Sequence, residues 1–136
     1  MIRVQRKRIA FASATIGVAL LLHSGSARAA SRVTPPLSVP FAGGMVLCSV
    51  LNLSDDARPM TIEVRDFQGN LVPTASCSAM NPRTDPVNAG DVEAIACTGS
   101  GYRYCRFTAK GGKATFRGIL RVLDSNDATV GILVAE

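Results

Sequence analysis

The chain has 136 residues, of which 15 are Lys or Arg and 10 are Asp or Glu, for a net charge of +5. Five of the basic residues and the only histidine lie within the first 29 residues, which contain no acid. Without that segment the chain has 10 basic and 10 acidic residues and a net charge of zero. The overall basic charge therefore gives no argument for nucleic-acid binding, and we expect no nucleic-acid partner.

The first 29 residues have the three parts of a secretory signal peptide. A basic segment, residues 1–8, precedes the uncharged residues 9–22, and the small residues Ala27 and Ala29 form an A-x-A cleavage site. The uncharged run is shorter than the about 20 apolar residues that span a bilayer. We therefore expect cleavage after Ala29, no membrane span in the mature chain, and a bacterial protein exported to the periplasm or the extracellular space.

The mature chain, residues 30–136, contains no histidine because the only one is His23. This excludes Ser-His-Asp and Cys-His nucleophiles and histidine-ligated zinc or haem. No catalytic residue, metal ligand or cofactor is expected. The 107 residues are enough for one domain. With no tryptophan, its core must consist mainly of Val, Leu and Ile.

The first half of the mature chain predicts an extended segment and then strands. Residues 30–44 are rich in Pro and Gly, which disfavour a helix or a central strand, and form an extended lead-in. The single domain follows, over residues 45–136. Residues 45–53 are apolar on both faces, as in a strand that is covered on both sides. Residues 60–67 alternate strictly, with Met60, Ile62 and Val64 facing inward.

The second half of the chain predicts further strands separated by glycine turns. These strands occupy residues 91–97, 102–108, 114–123 and Thr129–Val134. A hairpin turn at Gly111 and Gly112 is expected to join the strands 102–108 and 114–123. No segment has the 3.6-residue apolar period of a helix. The pattern predicts an all-β fold, an antiparallel immunoglobulin-like β-sandwich of about seven strands.

The four cysteines predict two disulfides, because an even number in a small exported domain is typical of a disulfide framework. Cys48 lies on an early core strand and Cys105 on a late one, so we expect them to join two sheets. Cys77 and Cys97 then pair by elimination. The alternative pairs Cys97 with Cys105 across the turn between their strands, and Cys48 with Cys77.

Three short motifs carry a resemblance to a group of known proteins: Cys48-x-x-x-Asn52, Asp66-x-x-Gly69-Asn70 and Tyr104-Cys105-Arg106-Phe107. The pattern resembles small exported bacterial proteins of uncharacterised function with immunoglobulin-like β-sandwich folds. The resemblance implies the fold and the export, and it brings no active site with it.

Charges are distributed unevenly along the mature chain. Residues 55–93 hold seven acids and three basic residues, whereas residues 103–121 hold six basic residues and no acid. Arg103, Arg117 and Arg121 lie on two strands that we expect to be adjacent, and so they would share one exposed face. This face is either a solvated surface or a docking face for an anionic envelope component or an acidic protein partner.

These observations predict an exported, non-enzymatic module with a binding or structural role. The first alternative is a self-associating protein, because Thr129–Val134 is apolar and would invite pairing at a sheet edge. The second alternative is a hydrolase that uses carboxylates alone. The segment 110–113 lacks the pattern of a phosphate loop, and residues 124–127 indicate a turn held by Asp and Asn side chains rather than a calcium loop.

Overall fold

A computed structural model describes residues 28–39, 43–112 and 115–136. The predicted signal peptide lies outside these residues except for Arg28 and Ala29. No helix in the described part of the chain is long and apolar enough to cross a membrane. The strands are β1 (Ala29–Val33), β2 (Leu37–Val39), β3 (Met45–Asn52), β4 (Arg58–Asp66), β5 (Arg83–Val87), β6 (Val92–Thr98), β7 (Gly101–Lys110), β8 (Phe116–Leu123) and β9 (Thr129–Val134), with a 3₁₀ turn at Thr74–Ser76.

The strands form two antiparallel sheets, which confirms the predicted all-β antiparallel fold. The first sheet has the order β1-β7-β4-β5, and β2 also pairs with β7. The second sheet has the order β6-β3-β8-β9. The described residues contain nine strands where about seven were predicted. The sequence patterns missed β1 and β5, because neither has a clear apolar alternation and Pro86 lies within β5.

The residues interpreted as an extended lead-in supply β1 and β2 at one edge of the first sheet. Ala30 pairs with Ala109, and Leu37 pairs with Arg103, both on β7. Between these strands Thr34 continues the contact: its amide donates to the carbonyl oxygen of Cys105, and its hydroxyl accepts from the Cys105 amide, both at 3.0 Å. The lead-in therefore belongs to the folded domain.

The core lies between the two sheets and is formed by alternate residues of their central strands. The predicted inward residues Met60, Ile62 and Val64 are all buried, which confirms the period-2 interpretation of β4. The other large buried side chains include those of Phe107, Phe116, Ile95 and Leu120. As the composition predicted, aliphatic residues make up most of the core.

Both predicted disulfides are present. Cys48 on β3 is joined to Cys105 on β7, with 5.8 Å between the Cα atoms, so this bond links the two sheets through the core. Cys77 is joined to Cys97 on β6, with 4.0 Å between the Cα atoms. This is the pairing favoured by the positions of Cys48 and Cys105 on core strands. By loop-closure entropy the two bonds would stabilise the fold by about 4 and about 3 kcal/mol.

Asn52 is a buried polar residue at the end of β3, and its side chain is satisfied by its neighbours. Its Oδ1 accepts from the amide of Ser54 at 2.9 Å. Its Nδ2 donates to the carbonyl oxygens of Asp56 and Val87, both at 2.8 Å. Asn52 therefore holds the turn after β3, as expected for an Asn at a strand end, and attaches that turn to the end of β5.

The two sheets approach closely where Phe107 of β7 packs over Gly118 of β8. Phe107 is fully buried. A Cβ atom added at Gly118 would lie 2.2 Å from a ring carbon of Phe107. Any side chain at this position must therefore displace the largest ring in the core.

We expect Gly118→Ala to lower the free energy of unfolding by about 1–3 kcal/mol, because overpacking forces shifts in a well-packed core. Denaturant unfolding measures this difference. Gly112→Ala is the matched control, since a Cβ there would have no atom within 4 Å. Equal stability of the two variants would show that the sheets do not approach each other at Phe107.

Candidate functional site

The outer face of the first sheet is polar. Glu63 on β4 lies opposite Arg106 on β7, and Thr61 lies opposite Thr108. Arg65 forms an ion pair with Glu63, with 2.7 Å between Nε and Oε2. A polar outer face over an apolar inner face is what an antiparallel sheet exposed to water on one side requires.

The outer face of the second sheet is apolar instead. Its outward residues are Met45, Leu47, Ser49 and Leu51 on β3; Val92, Ala94, Ala96 and Thr98 on β6; Arg117, Ile119, Arg121 and Leu123 on β8; and Val130, Ile132 and Val134 on β9. Only Ser49, Thr98 and the two arginines among them are not apolar. None carries a carboxylate. We call this set the apolar face.

The size of the apolar face makes it a candidate interaction site. Four strands about 4.8 Å apart, each about 20 Å long, cover about 400 Å². The largest apolar patch of a soluble monomer typically covers about 300–600 Å² and is often functional, so a face of this size is a candidate site of interaction. The exposed fractions of Val92, Val130 and Ile132 are 60%, 55% and 59%, so the described chain leaves this face open to solvent at both edges.

Two of the three predicted arginines lie on this face. Arg121 is opposite Leu47 of β3 on one side and opposite Ile132 of β9 on the other, so it sits amid apolar neighbours. Arg117 is opposite Leu51, four residues nearer the start of β8. The face therefore combines an apolar surface with two positive charges.

The prediction that Arg103 shares a face with these two residues is wrong. Arg103 belongs to β7 in the first sheet, whereas Arg117 and Arg121 belong to β8 in the second sheet. The strands are not adjacent, and the expected hairpin between them does not form, because β7 ends at Lys110 in the first sheet and β8 begins at Phe116 in the second. Arg103 instead lies over the turn before β7, where its Nη1 donates to the Tyr102 carbonyl oxygen at 3.1 Å.

An open cleft of about 610 Å³ continues the apolar face at one end of the sandwich. Arg117 and Val134 belong to both surfaces, and the cleft adds Arg32, Phe116 and Glu136. The guanidinium carbon of Arg32 lies 5.6 Å from the centre of the Phe116 ring, and its Nη1 donates to the carbonyl oxygen of Ala135 at 3.3 Å. The cleft thus brings the carboxylate of Glu136 together with Arg32 and Arg117, so both signs of charge meet at this end of the apolar face.

The four cysteines and Asp124 have structural roles in the described part of the chain. All four cysteines are in disulfides. No group of three or more His, Cys, Asp or Glu residues there is arranged to hold a metal ion. At the turn 124–127, Asp124 Oδ1 accepts from the amides of Asn126 and Ala128 at 2.8 and 3.0 Å. This is the predicted Asp-stabilised turn.

Three pKa values shift because of hydrogen bonds within the first sheet and its turns. Desolvation alone raises the pKa of Asp66, but hydrogen bonds from Asn70 and Gln68 hold it below its ordinary value. The pKa of Arg65 is raised by Glu63, and that of Arg83 by Asp85. Asp66 is therefore ionised near neutral pH, whereas a general acid needs a raised pKa.

Comparison with protein-family models, with curated proteins and with solved structures finds no match to this chain. The geometry of the described residues is therefore the basis for the functional argument.

Sequence reasoning missed the apolar face as a unit, although one signal pointed to it. Residues 45–53 predict a strand covered on both sides. In the structure Met45, Leu47 and Leu51 of β3 are only partly buried, because no other element of the described chain packs on their side. The apolar outer side of β3 is thus the sequence feature that indicates a covering partner.

We expect the folded protein to bind anilinonaphthalene sulfonate, because this probe pairs an apolar ring system with a negative charge and reports exposed apolar surface. Ile119→Ser together with Arg121→Ser should reduce the fluorescence enhancement. The control is Phe67→Ser, which removes a highly exposed aromatic ring outside the face (68% exposed). Equal fluorescence of the two variants would contradict binding at the apolar face.

Proposed function

We propose that this protein is an exported, non-enzymatic binding module of the bacterial envelope or its surroundings, and that the apolar face is its binding surface. The observation that carries the proposal is the contrast between the polar outer face of the first sheet and the apolar outer face of the second. A solvated sandwich would not need two different outer faces. An exposed apolar sheet becomes stable when a partner covers it.

Two features support the exported location and the immunoglobulin-like class in this proposal. Two disulfides are typical of proteins in an oxidising, exported location, either the periplasm or the extracellular space. The Cys48–Cys105 bond joins opposite sheets through the core, as the conserved disulfide of immunoglobulin domains does.

The proposed partner is an anionic component of the envelope with apolar parts, such as a lipid surface. Arg117 and Arg121 supply positive charge on a face that carries no carboxylate. Each arginine close to an anionic lipid surface contributes about 1 kcal/mol of binding free energy. The long side chain of Arg121 can keep its charge at the headgroups while its stem contacts apolar neighbours.

We expect the protein to be retained on phosphatidylglycerol vesicles at low salt, and Arg117→Gln combined with Arg121→Gln to weaken retention by about tenfold or more. Salt should weaken retention of the unsubstituted protein, because screening acts on exposed charges. Arg103→Gln is the control, since Arg103 carries the same charge away from the apolar face. Cosedimentation measures retention. Unchanged retention of the double variant would remove the anionic partner from the proposal.

Self-association is the second candidate function, and one specific observation favours it. The predicted apolar strand Thr129–Val134 is β9, which lies at the edge of the second sheet. An apolar edge strand offers unpaired backbone groups to another strand.

A further inference from the structure

β9 differs from the other sheet edges in having little that prevents pairing. β5 carries Pro86 together with the charged residues Arg83 and Asp85, and β2 has only three residues. Such features are the usual protection of edge strands. β9 contains no proline and no charged residue.

The edge of β6, at the opposite side of the second sheet, is covered by a segment of the chain itself. Ser78 donates its amide to the Ala96 carbonyl oxygen at 2.7 Å, and its hydroxyl accepts from the Ala96 amide at 3.1 Å. The Cys77–Cys97 disulfide fixes this segment in place. In the described residues this segment covers the β6 edge around Ala96, whereas β9 has no such segment along its outer edge between Val130 and Val134.

The register between β8 and β9 identifies which backbone groups of β9 point away from the second sheet. The amide of Ala135 donates to the carbonyl oxygen of Gly118 on β8 at 3.0 Å. Because bonding to one neighbour alternates along an antiparallel strand, Gly131 and Leu133 also point their amide and carbonyl groups at β8. Ile132 and Val134 point theirs away from the sheet. Their side chains, 59% and 51% exposed, belong to the apolar face.

Both ends of β9 limit where a second strand can lie. Val33 of β1 exchanges two 3.4 Å backbone hydrogen bonds with Glu136, which closes the edge just beyond Val134. At the other end the register with β8 shifts between Val122 and Leu123, which places a bulge at Val130. Ile132 and Val134 are the residues between these limits whose amide and carbonyl groups point outward, and Ile132 is the one farther from the closed end.

The charges favour edge contact over face contact between two copies. If two apolar faces packed on each other, Arg117 and Arg121 of both copies would approach with no carboxylate on either face to offset them. In edge contact two β9 strands separate the two Arg121 residues by about three strand spacings, or about 14 Å. This exceeds the Debye length of about 8 Å at physiological salt, so their repulsion is largely screened.

We propose that a second copy of this chain pairs antiparallel with β9 about a two-fold axis at Ile132, so that two second sheets become one eight-stranded sheet. The proposal rests on self-association as the second candidate function. The two-fold makes Ile132 exchange hydrogen bonds with Ile132 of the other copy and sets Val134 opposite Val130. It also makes the apolar faces of the two copies continuous.

The test uses protein purified from an exporting host with both disulfides formed, examined by sedimentation velocity over a wide range of concentrations. We expect a concentration-dependent dimer. Ile132→Lys places like charges opposite each other at the two-fold and should raise the dimer dissociation constant by at least about tenfold. Val92→Lys is the matched control, because Val92 is equally exposed on the same face but lies on β6, at the opposite edge of the sheet from β9.

Ile132→Cys tests the register directly. A hydrogen-bonded antiparallel pair has its Cα atoms about 5.5 Å apart, within the range that a disulfide spans. Mild oxidation should convert this variant to a covalent dimer on a non-reducing gel, whereas Val92→Cys should stay a monomer.

Each outcome separates the edge proposal from self-association in general. A dimer that withstands Ile132→Lys but dissociates with Val92→Lys would overturn the β9 pairing and leave self-association through the face. A monomer at every concentration would overturn both, while vesicle retention would still test the binding module separately.

Discussion

The fold depends on the packing of two sheets through a narrow core, and the Cys48–Cys105 bond lies at the centre of that contact. It joins a central strand of one sheet to a central strand of the other. A chain without tryptophan has few large side chains to fill the space between two sheets. The sheets fill this space by approaching each other closely instead. The Phe107 ring can pack close to the backbone of β8 because Gly118 has no side chain. The covalent bond and this close approach together determine which strands face each other.

Local sequence patterns were enough to predict the strands with a clear apolar pattern and one of the turns. The period-2 run around Ile62, the strand of Cys48 and the turn held by Asp124 follow from side-chain chemistry within a few residues of each position. The cysteine pairing also followed, since residues on early and late core strands meet across a sandwich. Sequence reasoning could not predict which strands share a sheet. Gly111 and Gly112 are equally compatible with a hairpin and with a crossing between sheets, and this ambiguity put Arg103 on the wrong face.

The strands that sequence reasoning missed are stabilised by partners rather than by their own pattern. β1 is held by β7, and Thr34 continues the contact toward β2 where Pro35 and Pro36 interrupt the pairing. β5 pairs with β4 despite Pro86, because an edge strand needs only one bonded side. The apolar face was missed for a related reason. Each of its strands contributes only a few residues, and the surface exists only once the order β6-β3-β8-β9 sets them side by side.

The Cys77–Cys97 bond has a consequence for the size of any assembly built by strand addition. A sheet with two free edges can pair with a neighbouring copy at each edge. Because such contacts do not close on themselves, they can continue into an open-ended fibre. The Cys77–Cys97 bond holds residues 77 and 78 against β6 and so covers part of one of these two edges. In the β9 pairing proposed above, growth by strand addition therefore stops at two copies where residues 77 and 78 occupy the opposite edge of the sheet.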